Sequence, residues 1–184
     1  DLEELAACVH ETGAQLLYLA NPDNPMGTVH KAEAIEAFIS CLPKTCLLAL
    51  DEAYIEFAPD GIALNSQKLF DNVLRFRTFS KGYGMAGARV GYAFGPAPLI
   101  AQFEKIRNHF GMNRVAQIGA IAALSDQDWV AYLRDKVSEA RERISDIASQ
   151  NGLNTIPSAT NFVTIDCGQD GDFAKAVLAH LVQE

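Results

Sequence analysis

Apolar positions recur three and four apart over residues 2–12, where Leu2, Leu5, Ala6 and Val9 share one face, the spacing of an amphipathic helix. Gly13 ends it. Leu16–Ala20 is a short apolar strand. Asn21-Pro22-Asp23-Asn24-Pro25-Met26-Gly27 holds two prolines and a glycine and reads as a shaped loop. The helical period returns over residues 31–42 through Ile35, Phe38, Ile39 and Leu42, with Pro43 just beyond. Cys46–Leu50 is continuously apolar, the pattern of a strand buried on both faces, and it leads into Asp51 and Glu52. Val73–Phe79 predicts a third strand leading into Ser80 and Lys81, and Val90–Gly95 a fourth.

Helices follow over about 98–109, 114–125 and 127–150. The last has the strongest period, through Trp129, Leu133, Val137, Ala140, Ile144 and Ile147. At about 36 Å it suits a helix bridging two domains. After Gly152 the pattern changes to two short strands, Leu153–Ile156 and Phe162–Ile165, and a helix over about 171–183. Residues 1–150 are therefore expected to form a large domain that includes the bridging helix, and residues 151–184 the start of a smaller one. Strands alternating with helices predict an α/β fold with a mostly parallel sheet. In such sheets ligands sit at the carboxyl ends of the strands. Asn24, Asp51 and Lys81 all fall just past such ends.

Composition adds few constraints. The 184 residues are 49% hydrophobic and 21% charged, ordinary for a globular protein. A formal charge of −8 with no basic run argues against nucleic-acid binding. Cys8, Cys41, Cys46 and Cys167 show no metal or redox spacing and read as free thiols of a reducing cytoplasm. No apolar stretch reaches the roughly 18 residues needed to cross a bilayer. The chain begins at Asp1 and ends at Glu184 inside an amphipathic pattern, which reads as a fragment of a longer protein.

The chemistry concentrates around Lys81, in Thr78-Phe79-Ser80-Lys81-Gly82-Tyr83-Gly84 with Arg89 eight positions later. A lysine at a strand end beside small hydroxyls and an arginine suits pyridoxal phosphate, a cofactor with both an aldehyde and a phosphate. Lys81 would form the Schiff base. Desolvation and a nearby Arg89 would both favour the neutral amine that this needs. Thr78, Ser80 and Arg89 form a plausible phosphate cup, although each hydroxyl could instead cap local backbone. Asp51, alone a strand-end carboxylate or helix cap, would here keep the pyridine nitrogen protonated. Tyr54 could pack with Phe57 or donate to the ring oxygen of the cofactor. Asn24 could shape its turn or share that oxygen. Glu52 points away from Asp51 by strand alternation and reads as structural. His10, His30, His109 and His180 are scattered and carry no role.

Three segments in this order, Asn21-Pro-Asp-Asn-Pro-Met-Gly-Thr28, Asp51-Glu-Ala-Tyr54 and Thr78-Phe-Ser-Lys-Gly-Tyr-Gly-Met-Ala-Gly-Ala-Arg89-Val-Gly91, resemble the class I/II (fold-type I) pyridoxal-phosphate-dependent aminotransferases. The resemblance covers nearly the whole chain and is closest to the histidinol-phosphate aminotransferase group. It implies Lys81 as the catalytic, cofactor-bound lysine and Asp51 as partner of the pyridine nitrogen. Tyr54 and Asn24 match contacts to the ring oxygen, and Thr78, Ser80 and Arg89 match phosphate contacts. Asn161-Phe162 matches a strand of the small domain. Met26 stands where threonine is commoner.

The resemblance also implies a protein about twice this length. A glycine-rich phosphate loop, a ring-stacking aromatic and a partner-subunit tyrosine would lie upstream, and a carboxylate-binding arginine downstream. The implied activity is ping-pong transamination between an amino donor, such as histidinol phosphate, and a keto acid such as 2-oxoglutarate, in a cytoplasmic homodimer. A decarboxylase or lyase of the same fold would keep the same seven residues. An aminotransferase-like effector domain of a transcription regulator is a third reading.

Overall fold

A computed structural model describes residues 1–183. Its element order is α1 (Leu2–Thr12), β1 (Leu16–Ala20), α2 (Ala32–Cys41), β2 (Leu47–Asp51), a 3-10 turn at Ile55–Phe57, β3 (Val73–Thr78), a 3-10 turn at Ala86–Ala88, β4 (Gly91–Phe94), α3 (Ala97–Phe103), α4 (Arg114–Ser125), α5 (Gln127–Gln150), β5 (Asn154–Thr155), β6 (Ile165–Asp166) and α6 (Gly171–Gln183). The main sheet runs β1-β2-β3-β4, with β1, β2 and β3 parallel and β4 antiparallel to β3. This is the expected α/β architecture with a mostly parallel sheet.

One face of the sheet is built from the apolar spacing of two helices. Ala6 and Val9 of α1 and Ile35, Phe38 and Ile39 of α2 pack with Leu48, Leu50 and Val73. Asp1 caps α1 by accepting from the Glu3 and Glu4 amides at 2.7 and 3.2 Å, which satisfies otherwise unpaired N–H groups. The expectation that β2 is buried on both faces is not met. Leu48 and Leu50 are buried while Leu47 and Ala49 are half-buried. Both helices lie on the Leu48/Leu50 side, so the alternate side chains emerge on the opposite face, where Tyr18 is exposed.

The helix expected over 98–109 stops at Phe103. The Ile106 amide bonds back only three residues, to Phe103, and the Asn108 side chain accepts from the Phe110 amide at 3.0 Å. A side chain that serves its own backbone in this way competes with the helical ladder. The same competition shortens the two strands expected after Gly152. Ser158 Oγ donates to the Phe162 carbonyl at 2.7 Å and Thr160 Oγ1 to the same oxygen at 3.1 Å. Residues 157–163 turn, leaving a two-residue antiparallel pair, β5 with β6.

α5 forms over the expected range and touches both the 55–57 turn and β5. The four cysteines form no disulfide. Among the described residues no helix is long and apolar enough to cross a membrane.

Candidate active site

Parallel pairing sets Ala20 across from Asp51, so β1 and β2 deliver the residues just past their ends to one edge. The Asn21 amide donates to the Asp51 carbonyl at 2.9 Å. The buried Asn21 side chain brackets His30, donating to its carbonyl at 3.0 Å and accepting from its amide at 2.8 Å. Bonds from the Asp23 amide to the Thr28 carbonyl and from the Gly27 amide to the Asp23 carbonyl close the loop. Gly27 has φ +79°, and a Cβ there would come within 2.8 Å of Ser158 Cβ, so only glycine fits.

The closed loop presents Asn24, whose Nδ2 donates to the Tyr54 hydroxyl at 3.1 Å. Tyr54 is held edge-on by Phe162, with ring centroids 5.3 Å apart. Lys81 Nζ lies 5.1 Å from the centre of the Tyr54 ring. Asn24, Asp51, Tyr54 and Lys81 line one cleft of about 620 Å³ together with Tyr18. That volume is within the range of small-molecule sites.

Lys81 is placed by a turn beyond β3. The Phe79 amide bonds the Val90 carbonyl at 3.1 Å, the Met85 amide bonds the Phe79 carbonyl at 2.8 Å, and the Gly84 amide bonds the Lys81 carbonyl at 2.9 Å. Ala116 and Ala120 of α4 pack beneath on Phe79 and Val90. Contrary to the expectation of desolvation, Lys81 is exposed, because it projects into an open cleft rather than between the strand and the glycine loop. Thr78, Ser80 and Arg89 sit on the same segment but are not among the residues lining that cleft. Thr78 Oγ1 accepts from the Ser80 amide at 3.1 Å. Arg89, at a left-handed φ of +53°, donates to the Ala86 carbonyl at 2.9 Å.

Three features escaped the sequence. The first is Tyr18, whose hydroxyl donates to Asp51 Oδ2 at 2.7 Å. The second lies behind the site. Glu52 is buried and accepts from Arg75 Nη2 at 2.8 Å, Arg75 Nε at 3.1 Å and Arg77 Nε at 2.9 Å. Its side chain leaves the cleft as strand alternation requires. The third is Glu56, on the turn after Tyr54. Its two carboxyl oxygens are buried with no hydrogen-bond partner, and Gly82, beside Lys81, packs against its stem so closely that a Cβ would meet Glu56 Cβ at 2.8 Å.

Burial pushes the Glu56 carboxyl up to about 7, with the Glu52 charge adding to the rise and the Glu56 backbone amide and Arg77 opposing it. The folded state therefore holds this proton more tightly than the unfolded chain. The associated stability is fully present below about pH 4.5 and is lost as pH rises to about 7. Glu56→Gln should remove that slope. Relative to wild type the variant should gain up to about 3 kcal/mol between pH 4.5 and 8, read from urea unfolding at the two pH values. An unchanged difference would refute it.

The model for "Aminotransferase class I and II" matches residues 1–184. Histidinol-phosphate aminotransferase of Brevibacillus brevis is 36% identical over 177 residues, covering 94% of this chain and 48% of its own. Aromatic amino acid aminotransferase of Nocardia farcinica is 39% identical over 187 residues, covering 97% and 51%. The crystal structure of histidinol-phosphate aminotransferase from Sinorhizobium meliloti, in complex with pyridoxal-5'-phosphate, superposes with a TM-score of 0.94 at 51% identity, covering 98% of this chain and 50% of that one. The chain thus spans about half the length of the relatives it matches. A match along every residue, on a fold that superposes this closely, establishes that this chain belongs to the class I and II aminotransferase family.

Proposed function

We propose that the whole protein is a pyridoxal-phosphate-dependent aminotransferase, with histidinol phosphate as amino donor and a keto acid such as 2-oxoglutarate as acceptor. The observation that carries this reading is an amine, a carboxylate, an amide and a phenol, Lys81, Asp51, Asn24 and Tyr54, lining one cleft at the ends of parallel strands. That donor set fits the cofactor. Pyridoxal phosphate, when bound, supplies an aldehyde for the lysine and a ring that accepts the electron pair of the substrate α-carbon.

Lys81 would supply the nucleophilic amine and would carry the α-proton of the substrate. Asp51 would hold a proton at the pyridine nitrogen. Asn24 and Tyr54, already bonded to each other, would donate to the ring oxygen. Thr78, Ser80 and Arg89 would hold the phosphate, an anion that suits a guanidinium. Residues 1–150 act as the large domain, with residues 151–184 opening the smaller one. In the same reading the protein is a cytoplasmic homodimer that acts on small molecules and binds neither nucleic acid nor membrane. The family match and the relatives' names favour transamination over the decarboxylase and effector-domain readings.

Borohydride reduction of the full-length protein with pyridoxal phosphate, followed by peptide mapping, tests the assignment. The pyridoxyl mass is expected on Lys81, and its recovery on another lysine refutes the reading. Keto-acid-dependent consumption of histidinol phosphate without release of carbon dioxide is the matching activity.

A further inference from the structure

Tyr18 lies in the middle of β1, directly across from Ala49. Ala49 and Asp51 share a face of β2 because strand side chains alternate. This is the face opposite Leu48 and Leu50, which are buried against α1 and α2. Ala49 presents only a methyl group, so the diagonal from Tyr18 to Asp51 is open, and an aromatic side chain can span it. The Tyr18 hydroxyl uses that diagonal and donates to Asp51 Oδ2 at 2.7 Å. The other oxygen, Oδ1, accepts from the Ala53 amide at 2.9 Å.

A carboxylate has about four lone-pair positions. One donor on each oxygen fixes the plane of the group and leaves the remaining positions for a ligand in the cleft. Tyr18 and Asp51 both line that cleft. The pairing also acts on the phenol. Its bond to Asp51, with burial and then the Asp51 and Asp23 charges, pushes it up to about 12, so it stays a donor across the physiological range.

We propose that Tyr18 is a positioning residue for Asp51, holding the carboxylate plane fixed by a bond to Oδ2 while the Ala53 amide holds Oδ1. The proposal rests on the reading of Asp51 as partner of the cofactor's ring nitrogen. An Asp51 carboxylate free to rotate about its last torsion would meet that nitrogen in several orientations. Binding would then have to select one.

Two measurements on the full-length protein test this. In the first, tyrosine is labelled with ¹³C at Cζ and titrated without cofactor, with Tyr18→Phe assigning the resonance. Tyr18 is expected to titrate near 12 in wild type and to fall toward about 10 in Asp51→Asn. Titration near the ordinary value in wild type overturns the pairing. In the second, pyridoxal phosphate affinity is measured for Tyr18→Phe, which is expected to be about tenfold weaker at an unchanged melting temperature, as for the loss of a bond to a charged group. An affinity within twofold of wild type overturns the positioning role. Reduction that fails to label Lys81 in wild type would instead refute the aminotransferase reading, and the cofactor-free titration would still decide the Tyr18–Asp51 pairing.

Discussion

Lys81→Ala in the full-length protein is expected to lower single-turnover transamination by at least about 10³-fold and to abolish borohydride-fixed cofactor. Two roles disappear together. On the proposed mechanism the variant loses both the amine that would attack the aldehyde and the group that would move the α-proton, a contribution of about 10²–10⁴ by itself. Folding should not suffer, because Lys81 is exposed and its turn is pinned by the Phe79, Met85 and Gly84 backbone bonds, which a side-chain change leaves intact, and by the α4 alanines. Lys81→Arg should be equally inactive despite keeping the charge, since a guanidinium stays protonated and cannot act as the nucleophile. Single-turnover kinetics with a melting-temperature control measures both variants. Activity within tenfold of wild type in either one would remove Lys81 from the mechanism.

Glu52→Ala is expected to destabilise the protein by about 3–5 kcal/mol, read from urea unfolding. Glu52 and Arg75 are each 2% exposed, and Arg75 also donates to the Leu64 and Asn65 carbonyls. Phe94 lies 4.5 Å under the guanidinium of Arg75. Removing the carboxylate would leave one guanidinium fully buried and a second partly buried without their counter-charge. The bond from the Glu52 amide to the Phe76 carbonyl at 2.8 Å belongs to the backbone and should survive, so the cost reads the side-chain pair. Glu52→Gln, which keeps the shape but not the charge, should fall between alanine and wild type. A cost below about 1 kcal/mol for Glu52→Ala would mean that the buried pair contributes no more than a surface ion pair.

Much of this was legible along the chain. The strands at Leu16–Ala20 and the helices at residues 2–12, 114–125 and 127–150 follow from apolar spacing, which local geometry converts directly into buried faces. Asn24, Asp51 and Lys81 stand out because each falls at a strand end, with Tyr54 three residues after Asp51, and a mostly parallel sheet gathers such ends on one edge. The errors have a common origin. Residues 104–109 and 162–164 carry adequate patterns for a helix and a strand, but Asn108, Ser158 and Thr160 use their side chains on nearby backbone. Whether that local bond or the ladder wins depends on tertiary surroundings.

Arg75 is the clearest limit. Nothing in Val73-Leu74-Arg75-Phe76-Arg77 marks Arg75 as buried, yet it is, with Glu52, 23 residues earlier, beside it. Tyr18 is similar, since its contact with Asp51 exists only once β1 and β2 are paired in register. Nothing along the chain marks the Glu56 carboxyl as buried, which follows only once Gly82 packs against its stem. By itself, then, the sequence determined the elements, the sheet type and the chemical identity of the groups at the strand ends, because these depend on short-range periodicity and on which side chains come after each strand. Only the tertiary structure decided which charges are paired, which are buried and which side chain bonds Asp51, because those outcomes depend on distances between residues tens of positions apart, set by strand register and helix packing.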